Sequence, residues 1–182
     1  MEYGHGGDVY RNRNVELDFS INVNPLGMPN FVWEAAMKSI ALSTRYPDST
    51  CGALRARMSE LTGIPGEMMI FGNGAAELIF RLAYALRPRR ALITAPAFSE
   101  YEEALTAAGC AVTRHPLRRE NRFDVDGGLL DVIAPGVELV FLCTPNNPTG
   151  RLVDGALLRA AAEQCRAVGA VLAVDECFLP LS

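Results

Sequence analysis

The sequence predicts an α/β fold, a mostly parallel sheet with helices on both faces, and three observations carry that expectation. The runs Ala91-Leu-Ile-Thr94, Ala111-Val-Thr-Arg114, Glu138-Leu-Val-Phe-Leu-Cys143 and Ala170-Val-Leu-Ala-Val174 are short, and most are apolar almost throughout. Such runs suit strands buried on both faces better than strands with one wet face. Segments of helical periodicity separate them, which is the pattern of strand–helix–strand crossovers. Finally, 182 residues of which 49% are hydrophobic and 21% charged are enough for one well-buried core and too few to argue for two full domains.

Taken in order, the segment from Leu17 to Pro29 contains Asn22, Asn24, Pro25, Gly27 and Pro29 and reads as an irregular arm. We therefore expect an N-terminal arm over 1–30 and a folded domain over 31–182. Pro29 leads a helix with Phe31, Val32, Ala35, Ala36 and Ile40 on one face. A second helix carries Leu54, Met58 and Leu61 and stops at Gly63. Met68-Met-Ile-Phe71 reads as a strand feeding the turn Gly72-Asn-Gly-Ala-Ala-Glu77, which opens a helix with Leu78, Ile79, Leu82, Ala83 and Leu86 that ends before Pro88. After the Ala91 strand, Ser99-Glu-Tyr-Glu102 has the form of a capping box. The helix it opens places Tyr101, Ala104, Leu105 and Ala108 on one face and stops at Gly109. Asp154 begins a last helix with Leu157, Leu158, Ala161, Ala162, Cys165 and Val168 at helical spacing.

Composition excludes several function classes. The formal charge is −4, and the densest basic cluster, Arg114 to Arg122, is broken by polar and acidic residues without interleaved aromatics. It reads as a solvated loop rather than a nucleic-acid surface. The five cysteines, Cys51, Cys110, Cys143, Cys165 and Cys177, form no C-x-x-C pair, so neither a zinc site nor a disulfide framework is expected. We expect reduced, buried thiols. No signal-peptide pattern opens the sequence and no apolar run approaches a membrane span, so a cytoplasmic location is expected.

The residues that carry chemistry lie where strands end. Glycines in the turn Gly72 to Glu77 let the backbone approach an anion, and the free N–H groups and dipole of the following helix would hold it. A turn that binds nothing is the plain alternative. It is a poor dinucleotide site, because Glu77 replaces the third glycine of that fingerprint and the acidic residue at the right distance, Glu100, is not at a strand end. Phe98, in the loop Ala95-Pro-Ala-Phe-Ser-Glu-Tyr101, could lie flat on an aromatic ring or simply pack beneath the loop. Asn147, within Thr144-Pro-Asn-Asn-Pro-Thr-Gly150, sits at a strand's carboxyl end, where open α/β sheets bind ligands. Asp175 follows Val171-Leu-Ala-Val174. It could cap a helix or join a buried ion pair, yet a protonated ring nitrogen would make its position chemically useful.

In their order along the chain, these pieces resemble the fold-type-I pyridoxal-phosphate enzymes, and the resemblance covers essentially the whole sequence. It implies pyridoxal 5′-phosphate as cofactor. Gly74, Ala75 and Ala76 would cradle its phosphate, Phe98 would stack on its ring, Asn147 would hydrogen-bond its phenolic oxygen, and Asp175 would keep its ring nitrogen protonated. Tyr46, in Arg45-Tyr-Pro-Asp48, resembles the tyrosine that reaches across a homodimer to the partner's cofactor phosphate; otherwise it is a half-buried loop tyrosine. The opening His5-Gly-Gly-Asp8 and the segment Leu17-Asp-Phe-Ser-Ile-Asn-Val-Asn-Pro-Leu-Gly27 resemble the threonine-phosphate decarboxylases of cobalamin synthesis, relatives of the histidinol-phosphate aminotransferases. By that likeness the substrate is a phosphorylated amino acid, His5 helps hold its phosphate, and Asn24 lines the substrate side of the site. A plain N-terminal loop is the alternative for His5. Phe178 stands where many aminotransferases of the group place a tyrosine, which is compatible with the decarboxylase branch.

One departure is large. The family holds its cofactor through a Schiff base to a lysine, and the only lysine here, Lys38, falls on the polar side of an early helix. No catalytic residue can be assigned, and no metal is expected. By the resemblance the expectation is a truncated chain, the first half of an enzyme, in which 31–182 is a partial pyridoxal-phosphate-binding large domain without the C-terminal part and small domain. A different class remains open beside it: a non-catalytic chain, or one half of a split protein that binds a partner.

Overall fold

The computed structural model describes Gly7, Tyr10 and residues 13–181. Two compact units divide the chain, Met1–Gly66 and Glu67–Ser182. His5 lies outside the described residues.

In the first unit, the arm up to Pro29 forms turns rather than helix or strand among its described residues. Pro29, with φ fixed near its ring value at −59°, leads directly into α1 (Asn30–Ser39), and a 3-10 turn over Ile40–Thr44 extends it. The second helix, α2 (Gly52–Thr62), ends at Gly63, whose φ of +71° is the left-handed conformation that stops helices. Neither helix buries a residue fully. The apolar face expected on α1 is accordingly open, with Phe31, Val32 and Ile40 all exposed.

The second unit carries α3 (Gly74–Leu86), β1 (Arg90–Ala95), α4 (Ser99–Ala107), β2 (Ala111–Pro116), α5 (Gly128–Val132), β3 (Leu139–Cys143), α6 (Gly155–Val168) and β4 (Val171–Asp175). The strands form one sheet in the order β2-β1-β3-β4, every pairing parallel. From β1 the chain steps outward to β2, then returns to the other side for β3 and β4. The order therefore reverses between β1 and β3, and a crevice opens at their carboxyl ends.

Side chains alternate across this sheet and build two cores. Ala91 and Ile93 of β1, with Leu139, Phe141 and Cys143 of β3, meet Ile79 and Ala83 of α3 and Tyr101, Ala104 and Leu105 of α4 on one face. Leu92, Val140 and Leu142 point the other way, against Leu129 of α5, Ile133, and Ala161 and Cys165 of α6. Both faces of the central strands are thus dry, which accounts for apolar runs too continuous to show a period of two. Asp154 caps α6 by accepting from the Ala156 and Leu157 amides at 2.9 and 3.0 Å.

Three expectations change. The segment from Met68 to Phe71 does not join the four-stranded sheet; its first residue closes a 3-10 turn over Gly66–Met68. It keeps the alternation of a strand, Met68 and Ile70 exposed and Met69 and Phe71 partly buried. The capping box at Ser99 does not form either. Phe98 occupies the N-cap position, the Ser99 hydroxyl turns to Glu100, and Glu102 is drawn away into an ion pair with Arg114 of β2. Of the five thiols, Cys177 is exposed and Cys51 only partly buried.

The core and the α6 cap set expected stability changes. Leu92→Ala removes a fully buried side chain from beneath α5 and α6 and should cost about 2–5 kcal/mol, whereas Asp154→Ala should cost about 1 kcal/mol. Urea denaturation followed by circular dichroism measures both. Equal costs would mean that the two sites are not ranked by burial.

Candidate functional site

The site is built from four strand and helix ends of the second unit. At the start of α3, Gly74 adopts φ +81°, a conformation that strains any side chain. Its amide donates to the Gly72 carbonyl at 3.1 Å. The Asn73 amide and side chain both donate to the Glu77 carboxylate, which also pairs with Arg81. The Asn73 amide, with help from Arg81, holds that carboxyl below its usual range. Glu77 therefore closes the turn from behind. Gly74's amide is engaged, so Ala75 and Ala76 are the first-turn residues left to present N–H groups forward, as the opening turn of a helix does.

The loops after β1 and β3 are tied to each other by a residue that the sequence did not single out. Asn146 is buried, and its side-chain amide donates to the Pro96 carbonyl at 3.1 Å and to Thr149 Oγ1 at 2.9 Å. Its backbone amide donates to the Arg151 carbonyl at 2.8 Å, and its carbonyl accepts from Gly150 at 2.7 Å. Arg151 is anchored in turn by a two-pronged pair with Asp124, at 2.5 and 3.1 Å. The bonds Ala95–Pro96, Thr144–Pro145 and Asn147–Pro148 are cis. The Asn146 bond to the Pro96 carbonyl sets Phe98 after β1 and Asn147 after β3 on adjoining loops.

Asp175 ends β4 beside Cys143 of β3. Its Oδ2 accepts from the Tyr101 hydroxyl at 2.6 Å, and its Oδ1 accepts from the Cys177 amide at 3.0 Å. No ion pair involves it among the described residues. Tyr101 is only 1% exposed; its ring stacks on Phe141 with centroids 4.9 Å apart and meets Phe98 edge-on at 5.8 Å. Burial, and then the Asp175 carboxylate, push the Tyr101 hydroxyl far above its ordinary pKa, so it remains a donor. Burial also raises the Cys143 thiol, and burial with Asp175 pushes the Cys177 thiol up to about 12.

A cavity of about 130 Å³ is lined by Ala75, Phe98, Tyr101, Cys143, Asn147, Asp175, Cys177 and Phe178. It adjoins a larger hollow of about 230 Å³ that shares Ala75, Asp175 and Cys177 and is otherwise walled mainly by Leu78, Ile79, Leu82, Phe141, Ala173 and Val174. The larger space is the less informative one, since its walls are almost wholly apolar. The chemistry collects in the smaller: a helix start, an aromatic ring, an amide and a carboxylate face one space.

Of the residues singled out from sequence, Ala75, Phe98, Asn147 and Asp175 line this cavity, with Gly74 and Ala76 flanking Ala75. Tyr46 and Asn24 belong to the first unit. Tyr46 is 100% exposed rather than half buried. The Asn24 side chain closes a turn, accepting from the Leu26 amide at 3.0 Å and donating to the Gly27 carbonyl at 2.9 Å. Lys38 stands on α1 with its side chain 82% exposed, 4.0 Å from Glu34. Sequence reasoning missed Asn146 and the polar role of Tyr101. The first is one of an Asn-Asn pair whose members the sequence does not rank, and the second fell on the apolar face of α4, where its hydroxyl leaves no trace in the periodicity.

With this geometry in place, comparison with known proteins gives consistent matches. Residues 14–179 match the family described as aminotransferase class I and II. Threonine-phosphate decarboxylase of Salmonella typhimurium is 38% identical over 96% of this chain and 50% of its own length. Histidinol-phosphate aminotransferase of Desulfitobacterium hafniense is 37% identical over 90% of this chain and 46% of its own. The chain thus spans about half the length of the curated relatives it matches. Among solved structures, Thermus thermophilus aspartate aminotransferase with maleate superposes with a TM-score of 0.78 at 23% identity, covering 92% of this chain and 47% of that one. The L-threonine-O-3-phosphate decarboxylase of Porphyromonas gingivalis gives 0.71 at 22% identity, covering 84% and 44%. Those two likenesses establish the shared fold, and the match over residues 14–179 establishes the lineage: this chain belongs to the aminotransferase class I and II family.

Proposed function

We propose that this chain supplies the ring- and phosphate-gripping wall of a pyridoxal-phosphate site in an enzyme acting on a phosphorylated amino acid, with L-threonine O-3-phosphate decarboxylation, in cobalamin synthesis, as the favoured reaction. The observation that carries the cofactor reading is Asp175: a carboxylate at a strand end, facing a cavity, held by neutral donors alone among the described residues. A partly buried carboxylate without a cation is incomplete, and a protonated ring nitrogen completes it. Substrate and reaction rest on the 38% identity to threonine-phosphate decarboxylase.

In this reading the residues divide the work. The Ala75 and Ala76 amides, with Gly74 allowing close approach, hold the phosphate at the start of α3. Phe98 covers one face of the ring, Asn147 hydrogen-bonds its phenolic oxygen, and Asp175 keeps a proton on its nitrogen. Pyridoxal phosphate, when bound, supplies an electron sink for charge that develops at the substrate α-carbon. Phe178 at the cavity wall brings no hydroxyl, so the phenolic oxygen receives one donor fewer than a tyrosine there would give. Tyr46, fully exposed, is assigned to the cofactor phosphate of a second subunit in a homodimer, and His5 and Asn24 to the substrate. Histidinol-phosphate transamination is the second reading, favoured by the 37% identity over 90% of the chain.

Two outcomes test this assignment. Pyridoxamine 5′-phosphate, which needs no lysine, should bind the chain, and Asp175→Asn should weaken binding about ten- to hundred-fold, the range of a hydrogen bond to a charged group, as read by isothermal titration calorimetry. Unchanged affinity in that variant would remove the reading. Separately, Lys38 is exposed and beside Glu34, whereas cofactor attachment needs a positioned, desolvated amine. Borohydride reduction of the chain with pyridoxal phosphate should therefore give no specific label at Lys38 on peptide mapping; stoichiometric labelling there would contradict this.

A further inference from the structure

We propose that Tyr101 is a positioning residue of this site: its hydroxyl fixes the Asp175 carboxylate, turned toward the cavity, for the ring nitrogen bound there. The inference rests on the cofactor reading above and adds a residue to it.

The geometry leaves Tyr101 little freedom. Its ring is held between the Phe141 stack at 4.9 Å and the edge of Phe98 at 5.8 Å, so the hydroxyl has one direction to point. It meets Asp175 Oδ2 at 2.6 Å, a length typical of an O–H donor on a charged oxygen. The Cys177 amide takes the other oxygen at 3.0 Å. One donor on each oxygen fixes the plane of the carboxylate and still leaves each oxygen a lone pair for a third donor in the cavity.

A buried tyrosine needs some partner for its hydroxyl, and packing alone would accept any nearby carbonyl. The choice of partner separates the two cases. Asp175 is the residue on which the cofactor reading depends, and Phe98, the ring-covering residue, sits one helical turn before Tyr101 and touches it. One aromatic cluster thus sets both the ring wall and the carboxylate. The titratable groups facing Asp175 are Tyr101 from α4, Cys143 from β3 and Cys177 from its own turn, with exposed Glu176 adjacent in the chain; α3 presents only Ala75 and aliphatic side chains. Both thiols are pushed upward and stay neutral near neutral pH.

The test uses Tyr101→Phe, which keeps the stack and removes the donor. Because the hydroxyl acts through Asp175, Tyr101→Phe should weaken pyridoxamine 5′-phosphate about three- to ten-fold by isothermal titration calorimetry while Asp175 is present, and should change affinity little in the Asp175→Asn background. The ¹⁵N resonance of the bound ring nitrogen should move toward its free-ligand position in the folded Tyr101→Phe variant. Site-specific 3-fluorotyrosine at position 101, a stronger donor of nearly the same shape, should strengthen binding and covers the case in which the phenylalanine variant fails to fold. Equal losses in both backgrounds, or no loss in a folded Tyr101→Phe variant, overturn the role of Tyr101, whereas unchanged affinity in Asp175→Asn refutes the cofactor reading itself.

Discussion

Parallel pairing is the constraint on which the structure depends. Because β1, β3 and β4 run the same way in register, their carboxyl ends open on one side, and residues more than seventy positions apart in sequence meet there. The reversal of strand order between β1 and β3 opens the crevice, and crossover helices keep both faces of the sheet dry. Neither Phe98, Asn147 nor Asp175 carries a signal of its own strong enough to identify a site. The sheet brings them to one.

Within that frame the polar groups form a hierarchy. Arg151 and Asp124 anchor the loop after β3, Asn146 ties it to the loop after β1, and Tyr101 joins α4 to the end of β4. Each bond spans separate elements and is sheltered from water to some degree, so it acts as a strut rather than as surface decoration. The residues assigned to the ligand sit at the ends of these struts. A site that depends on placing an aromatic face, an amide and a carboxylate around one ring needs such support.

Much of this was legible in the sequence, for reasons that differ by residue. The strands and their burial were legible because a doubly covered parallel strand must be apolar almost throughout. The α6 start was legible because Asp154 is a cap whose acceptor has only local donors to reach. Asp175 and Asn147 could be located because strand ends are where polar residues interrupt apolar runs. What failed depended on partners. Met68 to Phe71 has a strand's pattern but does not join the sheet, and Ser99 with Glu102 has the letters of a capping box whose acid is claimed by Arg114 of another element. The periodicity of α4 marks Tyr101 as core, which holds for its ring, while its hydroxyl partner lies 74 positions away, beyond any local rule.

In the proposed function, the Asp175 carboxylate holds a proton on a cofactor ring nitrogen in this cavity. The most direct measurement is ¹⁵N NMR of pyridoxamine 5′-phosphate labelled at the ring nitrogen and bound to the chain. The expected resonance lies at the protonated position and persists to higher pH than in the free compound, because an adjacent carboxylate favours the charged ring. A bound ring nitrogen that titrates as it does free in solution would contradict it.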